Sequence, residues 1–246
     1  MSLRSGSAFA VLALLSVAGC GDQKAAAPAG DTAATPIAPP AGQDWTQMMA
    51  ATPEGGFRVG NPDARVKLVE FASMTCPHCR EFHEEANAVI KSKYVASGNV
   101  SYEYRSFVLN GPDYAASLLA RCGDAPTFFG LLDAFYADQA TWTEPFSKLT
   151  DAQSKTLGAM PQDEQIKAMA ELGGLDGFVR TRGIPKAKFD QCLADKGQLD
   201  KLLELRTQAT DTYKLTGTPG FIINGTTQDG VFTWKELEPR LQAALR

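Results

Sequence analysis

Two cysteines lie three positions apart in the segment Cys76-Pro77-His78-Cys79, directly after an apolar run and at the start of a helical pattern. Thiols at this spacing can close a small disulfide ring. The first sulfur would lie at a helix N-terminus, where the helix dipole favours a thiolate, and the second would lie behind it. This arrangement predicts a dithiol that cycles between oxidised and reduced forms and exchanges electrons with other proteins.

Metal binding is the main alternative for such a cysteine pair. Structural zinc needs four ligands, and the sequence has no second Cys or His pair to complete the site. Covalent haem needs a histidine directly after the second cysteine, where this chain has Arg80. His83 is expected to be an exposed helix residue without a role. We therefore expect no metal and no other cofactor.

The elements around the cysteines indicate how they are positioned. Residues 66–71 are mostly apolar and rich in valine, which predicts a buried strand. A helix is predicted from Cys76 to about Ala96, and the alternating, aromatic residues 100–107 predict a second strand. The order strand, helix, strand favours parallel pairing through a right-handed crossover.

The rest of the chain divides into a helical block and a short closing unit. Helical periodicity is found over 112–122, 125–137, 164–172, 185–194 and 198–215, with Gly and Pro between these segments. Residues 218–225 predict a strand followed by a turn, with Asn224-Gly225 as the hairpin signal; 230–232 predict a second strand and 234–245 a helix. The expected α/β fold is β-α-β over 56–110, an all-helical insertion over 111–213, and β-β-α over 214–246.

The N-terminus predicts an exported protein. Residues 1–20 combine a positive start with an apolar stretch too short to span a bilayer, as in a signal peptide. Small residues directly before Cys20 resemble the lipobox of bacterial lipoproteins; the alternative is a plain signal peptide with an incidental cysteine. The Ala- and Pro-rich residues that follow predict a disordered tether over 21–55.

Export also bears on the two remaining cysteines, because exported cysteines are expected to be oxidised or to exchange oxidation. Cys122 and Cys192 form an even pair on predicted helices of the insertion. We expect a structural disulfide between them; the alternative is two separate buried thiols.

The charge composition argues against one class of partner. The chain has 24 Lys and Arg residues against 28 Asp and Glu residues, a net charge of −4. No basic stripe or run is present, so nucleic-acid binding has no electrostatic support.

Three places make the chain resemble DsbA-type thiol:disulfide oxidoreductases, which have a thioredoxin fold interrupted by a helical domain. They are Cys76-Pro77-His78-Cys79, Glu70 six residues before Cys76, and Gly217-Thr218-Pro219, which matches the family's cis-proline loop. Many oxidase members have Val before the cis-proline, where this chain has Thr218.

The resemblance implies a role for each of these residues. Cys76 would be the exposed attacking sulfur, Cys79 the buried resolving sulfur, and His78 a nearby donor or positive charge. Pro219 would have a cis peptide bond with Thr218, whose backbone would pair with an extended substrate. Glu70 would accept a proton from Cys79; its alternative is a strand-end carboxylate turned to solvent.

The expected function is a periplasmic, lipid-anchored oxidase that donates its disulfide to exported or unfolded proteins. A quinone-linked membrane partner would reoxidise it, and a monomer is the default state. Thr218 keeps open a reductase or isomerase that a membrane electron donor keeps reduced. A non-catalytic lipoprotein chaperone, with the disulfide serving only for rigidity, is the alternative from another class.

Overall fold

The computed structural model of the protein describes residues 34–246. The predicted signal peptide over 1–20, the lipidation site at Cys20 and the first part of the predicted tether, 21–33, lie outside the described residues. Within residues 34–246, no helix combines the length and the apolar character that crossing a membrane requires.

A six-stranded sheet forms the centre of the domain. Its strands are β1 Met49–Ala51, β2 Phe57–Val59, β3 Val66–Ala72, β4 Val100–Ser106, β5 Gly220–Ile223 and β6 Thr226–Thr227. They lie in the order β1-β2-β4-β3-β5-β6. β3 and β4 pair in parallel, with Val66 opposite Val100, and the remaining pairs are antiparallel. The parallel pair predicted around the first helix is confirmed.

Ten α-helices surround this sheet in the described part of the chain. They are α1 Pro77–Val89, α2 Gly111–Ala120, α3 Ala125–Ala137, α4 Gln139–Ser147, α5 Asp151–Gly158, α6 Gln162–Leu172, α7 Leu175–Arg180, α8 Lys186–Leu193, α9 Lys196–Thr207 and α10 Trp234–Ala244. π-Helical turns extend α1 through Ile90–Val95 and α9 through Gln208–Thr212. The predicted α/β fold with a helical insertion between β4 and β5 is confirmed.

Both faces of the sheet are covered, which explains why β3 is apolar nearly throughout. On one face, Phe82 of α1 packs against Phe221 of β5 with ring centroids 4.6 Å apart. On the other face, Phe71 and Ile222 belong to a buried cluster with Leu205 of α9. A strand buried on both sides shows a continuous apolar run rather than alternation.

The predicted tether is wrong over its last residues, because the chain is already folded there. β1 lies within residues 21–55, and Trp45 is 6% exposed, its indole Nε1 donating to the Ile37 carbonyl at 2.8 Å. The Ile37 N–H donates to the Ser97 carbonyl. Gly98 has φ +72°, and a Cβ there would lie 2.4 Å from the Ile37 oxygen. Trp45 and the three-residue strand β1 therefore fix residues 34–51 in the fold, although the composition of this segment predicts disorder.

In the second half of the chain, the predicted hairpin turn at Asn224-Gly225 is confirmed, whereas the strand predicted over 230–232 and the helix break at Pro145 are wrong. Asn224 and Gly225 both have positive φ, 49° and 82°, so the hairpin turns within two residues and β6 begins at once at Thr226. The strand predicted over 230–232 is absent from the described sheet. In the insertion, α4 continues through Pro145, although proline predicts a break between helical segments. The periodicity of α4, α5 and α7 was too weak to predict them.

Candidate active site

Cys76 and Cys79 lie at the start of α1, directly after β3. Cys76 is the N-cap residue, and Pro77 is the first residue of the helix, where its missing N–H costs no hydrogen bond. Both cysteines are thiols in this structure. Cys76 is 7% exposed and Cys79 is fully buried. Cys76 is therefore much less exposed than expected for the attacking sulfur, although it is the more accessible of the two cysteines.

The surroundings of Cys76 favour its thiolate. Its pKa is lowered from 9.0 to about 5, with the hydrogen bond from the Cys79 thiol as the largest cause. The Thr218 side chain and the backbone N–H groups of Cys79 and His78 lower it further, against the effect of partial burial. Free N–H groups in the first helical turn stabilise an anion at the N-cap.

Cys79 and Glu70 are held in their protonated forms instead. Burial is the largest cause that raises the pKa of Cys79 well above 9.0, and the charges of Cys76 and Glu70 add to it. Glu70 is 2% exposed and accepts a 2.6 Å hydrogen bond from the Tyr102 hydroxyl. Burial raises the pKa of Glu70 to about 8, and the Tyr102 bond only partly opposes this. The alternative of a carboxylate turned to solvent does not apply to Glu70.

The His78 side chain takes no direct part in this environment. Its ring is 73% exposed, and Nδ1 lies 3.0 Å from Oε2 of Glu81. The backbone N–H of His78 helps to stabilise the Cys76 thiolate. The sequence instead predicts a hydrogen-bond donor or a positive charge from the His78 imidazole.

Thr218 and Pro219 face the cysteines from the loop before β5. The peptide bond between them is cis. The Cys76 thiol donates to the Thr218 carbonyl, with Sγ and O 3.4 Å apart. This carbonyl is a backbone acceptor beside the reactive sulfur, where an extended peptide could bind.

Side chains from β4 and the insertion hold the segment between β3 and α1. Tyr104 and Tyr136 donate their hydroxyls to the carbonyls of Ala72 and Ser73 at 3.1 and 3.2 Å. Gln139, 5% exposed, donates its Nε2 to the carbonyls of residues 74 and 76 at 2.9 and 3.0 Å. Almost every carbonyl leading to the reactive cysteine therefore has a buried partner.

Sequence reasoning missed these supporting residues, as well as the contacts of His83. The His83 side chain is only 13% exposed, and its Nε2 lies 3.0 Å from Oδ1 of Asp133 on α3. The expectation of an exposed helix residue is therefore wrong. Periodicity gives the face of a helix on which such residues lie, but not the partner that the insertion brings to that face.

A groove of about 460 Å³ lies beside the cysteines. Part of its wall is Phe232, whose side chain is 44% exposed, although most large apolar residues are buried. Its lining residues come from α1, the cis-proline loop and the start of α10: His78, Glu81, Phe82, Glu85, Gly217, Thr218, Phe232 and Thr233. A client segment next to its cysteine could lie in this groove.

A disulfide joins Cys122, just after α2, to Cys192 of α8, with Cα atoms 5.5 Å apart. Its sulfurs are separate from the Cys76–Cys79 pair. No group of three or more His, Cys, Asp or Glu residues within the described range could hold a metal ion.

Comparison with known proteins identifies the family. Residues 52–243, which include the cysteine pair, the cis-proline loop and the whole insertion, match the sequence pattern of a family described as thioredoxin. The chain belongs to this thioredoxin family. A crystal structure described as a protein-disulfide isomerase from Novosphingobium aromaticivorans is 33% identical with a TM-score of 0.74, covering 77% of this chain and 96% of that one.

Other proteins match this chain at lower identity. Wolbachia pipientis alpha-DsbA1 has a TM-score of 0.58 at 23% identity, covering 82% of this chain and 96% of that one, and it shows a shared fold. A Rickettsia bellii relative named as a protein-disulfide oxidoreductase is 27% identical over 173 residues. The match covers 70% of this chain and 58% of the relative's length.

Proposed function

We propose that this thioredoxin-family protein is a DsbA-like thiol:disulfide oxidoreductase that transfers the Cys76–Cys79 disulfide to client proteins. One observation carries the proposal: Cys76, slightly exposed at the N-terminus of α1 and with its pKa lowered to about 5, lies against the fully buried Cys79, whose pKa is raised well above 9.0. A stabilised thiolate stabilises the reduced form, which makes the corresponding disulfide an oxidant.

The first step breaks the Cys76–Cys79 bond. A client thiolate attacks Sγ of Cys76 and forms a mixed disulfide, and Cys79 leaves as a thiolate that takes up a proton. Attack at Cys76 is favoured because Cys79 is fully buried. The Thr218 carbonyl and the adjacent groove would hold the client's backbone and neighbouring side chains.

The second step releases the client. The second client thiolate attacks the client's own sulfur in the mixed disulfide, and Cys76 leaves as the stabilised thiolate. The client loses two electrons and two protons, and the protein gains two electrons. Glu70 would exchange the proton of Cys79, because its pKa of about 8 leaves both forms available near neutral pH.

We further propose that this takes place in the periplasm, with the protein anchored through a lipid on Cys20 and acting on exported proteins as a monomer. The positive start, the apolar stretch and the small residues before Cys20 support export. A quinone-linked membrane protein would reoxidise the dithiol.

The second candidate, a reductase or isomerase kept reduced by a membrane donor, is favoured by Thr218 and by the isomerase description of the Novosphingobium structure.

Trapping of mixed disulfides tests the proposal. In Cys79→Ala the resolving sulfur is absent, so covalent complexes between Cys76 and client cysteines should accumulate and dissolve on reduction. Cys76→Ala is the matched control and should form none, because its remaining sulfur is buried. If Cys79→Ala traps no client, the oxidoreductase is ruled out. If Cys76→Ala still binds unfolded clients without exchange, the non-catalytic chaperone is favoured.

A further inference from the structure

A second buried carboxyl group, Asp113 of α2, lies against the segment that leads from β3 to Cys76. Asp113 is fully buried. Its Oδ1 accepts the Met74 N–H and its Oδ2 accepts the Leu109 N–H, each at 3.0 Å. The Ser117 hydroxyl lies 3.5 Å from Oδ1. One side chain therefore joins the segment before Cys76 to the start of the helical insertion.

No cation compensates this carboxyl within residues 34–246. Its hydrogen-bond partners are backbone N–H groups and hydroxyls, including that of Ser73. The titratable groups that face it are Cys76, whose negative charge acts on Asp113, and Tyr104 of β4, a neutral phenol on which the Asp113 charge acts. α3, α6, α8 and α9 also pack against α2, and no charged side chain of theirs hydrogen-bonds Asp113. A carboxylate here is held by dipoles alone, and it experiences the negative charge of the Cys76 thiolate.

We propose that Asp113 is a positioning residue for exchange at Cys76: it fixes the segment that carries this cysteine, and its negative charge opposes the Cys76 thiolate. The inference rests on the exchange role proposed above for Cys76. Two anions in a region of low dielectric destabilise each other, so the carboxylate limits how oxidising the disulfide becomes. Met74, two residues before Cys76, receives the positioning bond.

The interaction between the charges of Asp113 and Cys76 also links reduction of the disulfide to protonation of Asp113. When a client dithiol reduces the disulfide, two electrons enter the protein and the client releases two protons. Cys79 binds one proton and Cys76 remains a thiolate, which leaves the second proton for another base. The pKa of Asp113 is raised to about 6, first by burial and additionally by the charge of Cys76. Asp113 therefore binds a proton more tightly in the reduced protein than in the oxidised protein, where Cys76 carries no charge.

Asp113→Asn tests the charge, since the amide retains an acceptor for one of the two N–H groups. We expect the Cys76 thiolate, followed by its ultraviolet absorbance, to form at lower pH than in the unaltered protein. We also expect the equilibrium with glutathione to shift several-fold toward the reduced protein. Ser117→Ala, which removes the longest of these bonds and keeps the charge, should change both far less. A folded Asp113→Asn protein with an unchanged thiolate titration and glutathione equilibrium would overturn the proposal.

A second measurement keeps Asp113 in place and decides the question if Asp113→Asn does not fold. In Glu70→Gln, the other buried carboxyl near the cysteines is removed, and infrared difference spectra between redox states report protonated carboxyl groups. We expect a protonated-carboxyl band that persists to higher pH in the reduced than in the oxidised protein. Identical titration in both redox states would overturn the proposal. Trapping by Cys79→Ala tests the exchange function separately, so the failure of one does not imply the failure of the other.

Discussion

Cys76 and Cys79 carry the same functional group three positions apart, and their surroundings differ in almost every respect. Cys76 lies at the N-terminus of α1, where the Cys79 thiol and unpaired backbone N–H groups favour the Cys76 thiolate. Cys79 lies one turn inside, where burial favours the neutral thiol. The difference comes from position along α1, since a helix N-terminus has free donors and its interior has none. This difference supports the proposed roles, in which the client attacks Cys76 and Cys79 is the resolving sulfur.

The lowered pKa of Cys76 predicts how the stability of the reduced protein changes with pH. Its folded-state pKa of about 5 lies below its ordinary value of 9.0, so the thiolate stabilises the folded, reduced protein. This contribution is complete above pH 9 and is lost as the pH falls through about 5. The free energy of unfolding of the reduced protein, relative to the oxidised protein, should therefore rise from pH 5 toward pH 9.

Chemical denaturation of both redox forms at several pH values measures this difference. Glu70 is buried in the reduced protein and is expected to be buried in the oxidised protein too, so the comparison should remove the effect of burial on its pKa. A difference independent of pH over this range would contradict a stabilised Cys76 thiolate, as would a thiolate absorbance that appears only near pH 9.

Glu70 gives a prediction for the release of mixed disulfides. If Glu70 exchanges the Cys79 proton, Glu70→Gln should slow the attack of Cys79 on a preformed mixed disulfide between Cys76 and glutathione. Tyr102→Phe is the matched variant, because it keeps the carboxyl but removes the bond that lowers its pKa. The pH dependence of release should move to higher pH in Tyr102→Phe and lose its Glu70 component in Glu70→Gln. Equal rates and pH profiles in all three proteins would exclude Glu70 from proton exchange.

Part of this site could be predicted from the sequence, because local spacing determines it. The Cys-Pro-His-Cys segment after a strand places two thiols in one helical turn, and Glu70 lies on the same strand. Asp113 and Gln139 could not be predicted in the same way. Asn110 and Pro112 near Asp113 indicate only where a helix begins, and the burial of Asp113 depends on how the insertion folds back onto the sheet.

At the scale of secondary structure, residues 34–51 are part of the folded domain rather than of a disordered tether. Trp45 packs in the main core, and the backbone of residues 35 and 37 is hydrogen-bonded to the turn before β4. β1 then pairs with β2 at the edge of the sheet. These contacts bring the start of the described chain to the end of the sheet away from Cys76, because β3 runs from that end toward α1.

Trp45→Ala should destabilise the protein by about 3–5 kcal/mol, the usual cost of removing a buried aromatic side chain. Ile37→Ala is the control: its side chain is 41% exposed and its backbone bonds are retained, so we expect little effect. Denaturant unfolding measures both. Equal and small effects in the two variants would show that residues 34–51 contribute little to stability, as a tether would.

At the scale of the whole molecule, the helical insertion completes the active site and is itself closed by a disulfide. Tyr136 and Gln139 hold the Cys76 segment from α3 and α4, whereas the Cys122–Cys192 bond joins the region after α2 to α8. The disulfide closes a loop with a sequence separation of 70 residues. We therefore expect this disulfide to contribute to stability and the exchange chemistry to belong to the other pair.

Replacing both Cys122 and Cys192 by Ser should lower the free energy of unfolding by about 4 kcal/mol in the chain-entropy estimate for a loop of this length. The glutathione equilibrium of Cys76 and Cys79 should stay the same below the unfolding transition. Denaturant unfolding and redox titration of the double variant measure the two quantities. A changed equilibrium in a folded double variant would show that the second pair takes part in exchange.

The order of elements could be predicted at this scale, and the internal arrangement of the insertion could not. Strand β3, helix α1 and strand β4 follow from apolar runs and periodicity, and a crossover of this kind has one favoured hand. α4 and α7 carry weak patterns, since Pro145 interrupts one and the other has six residues. Their positions depend on packing against the rest of the insertion, such as Phe135 on Phe178 with ring centroids 4.7 Å apart.

The redox equilibrium of the Cys76–Cys79 pair in graded glutathione buffers tests the central claim most directly. A thiolate with a pKa of about 5 stabilises the reduced protein. We therefore expect the pair to be mostly reduced even in fairly oxidising mixtures, as a disulfide donor requires. A pair that stays oxidised until glutathione is strongly reducing would contradict the oxidase and favour a reductase.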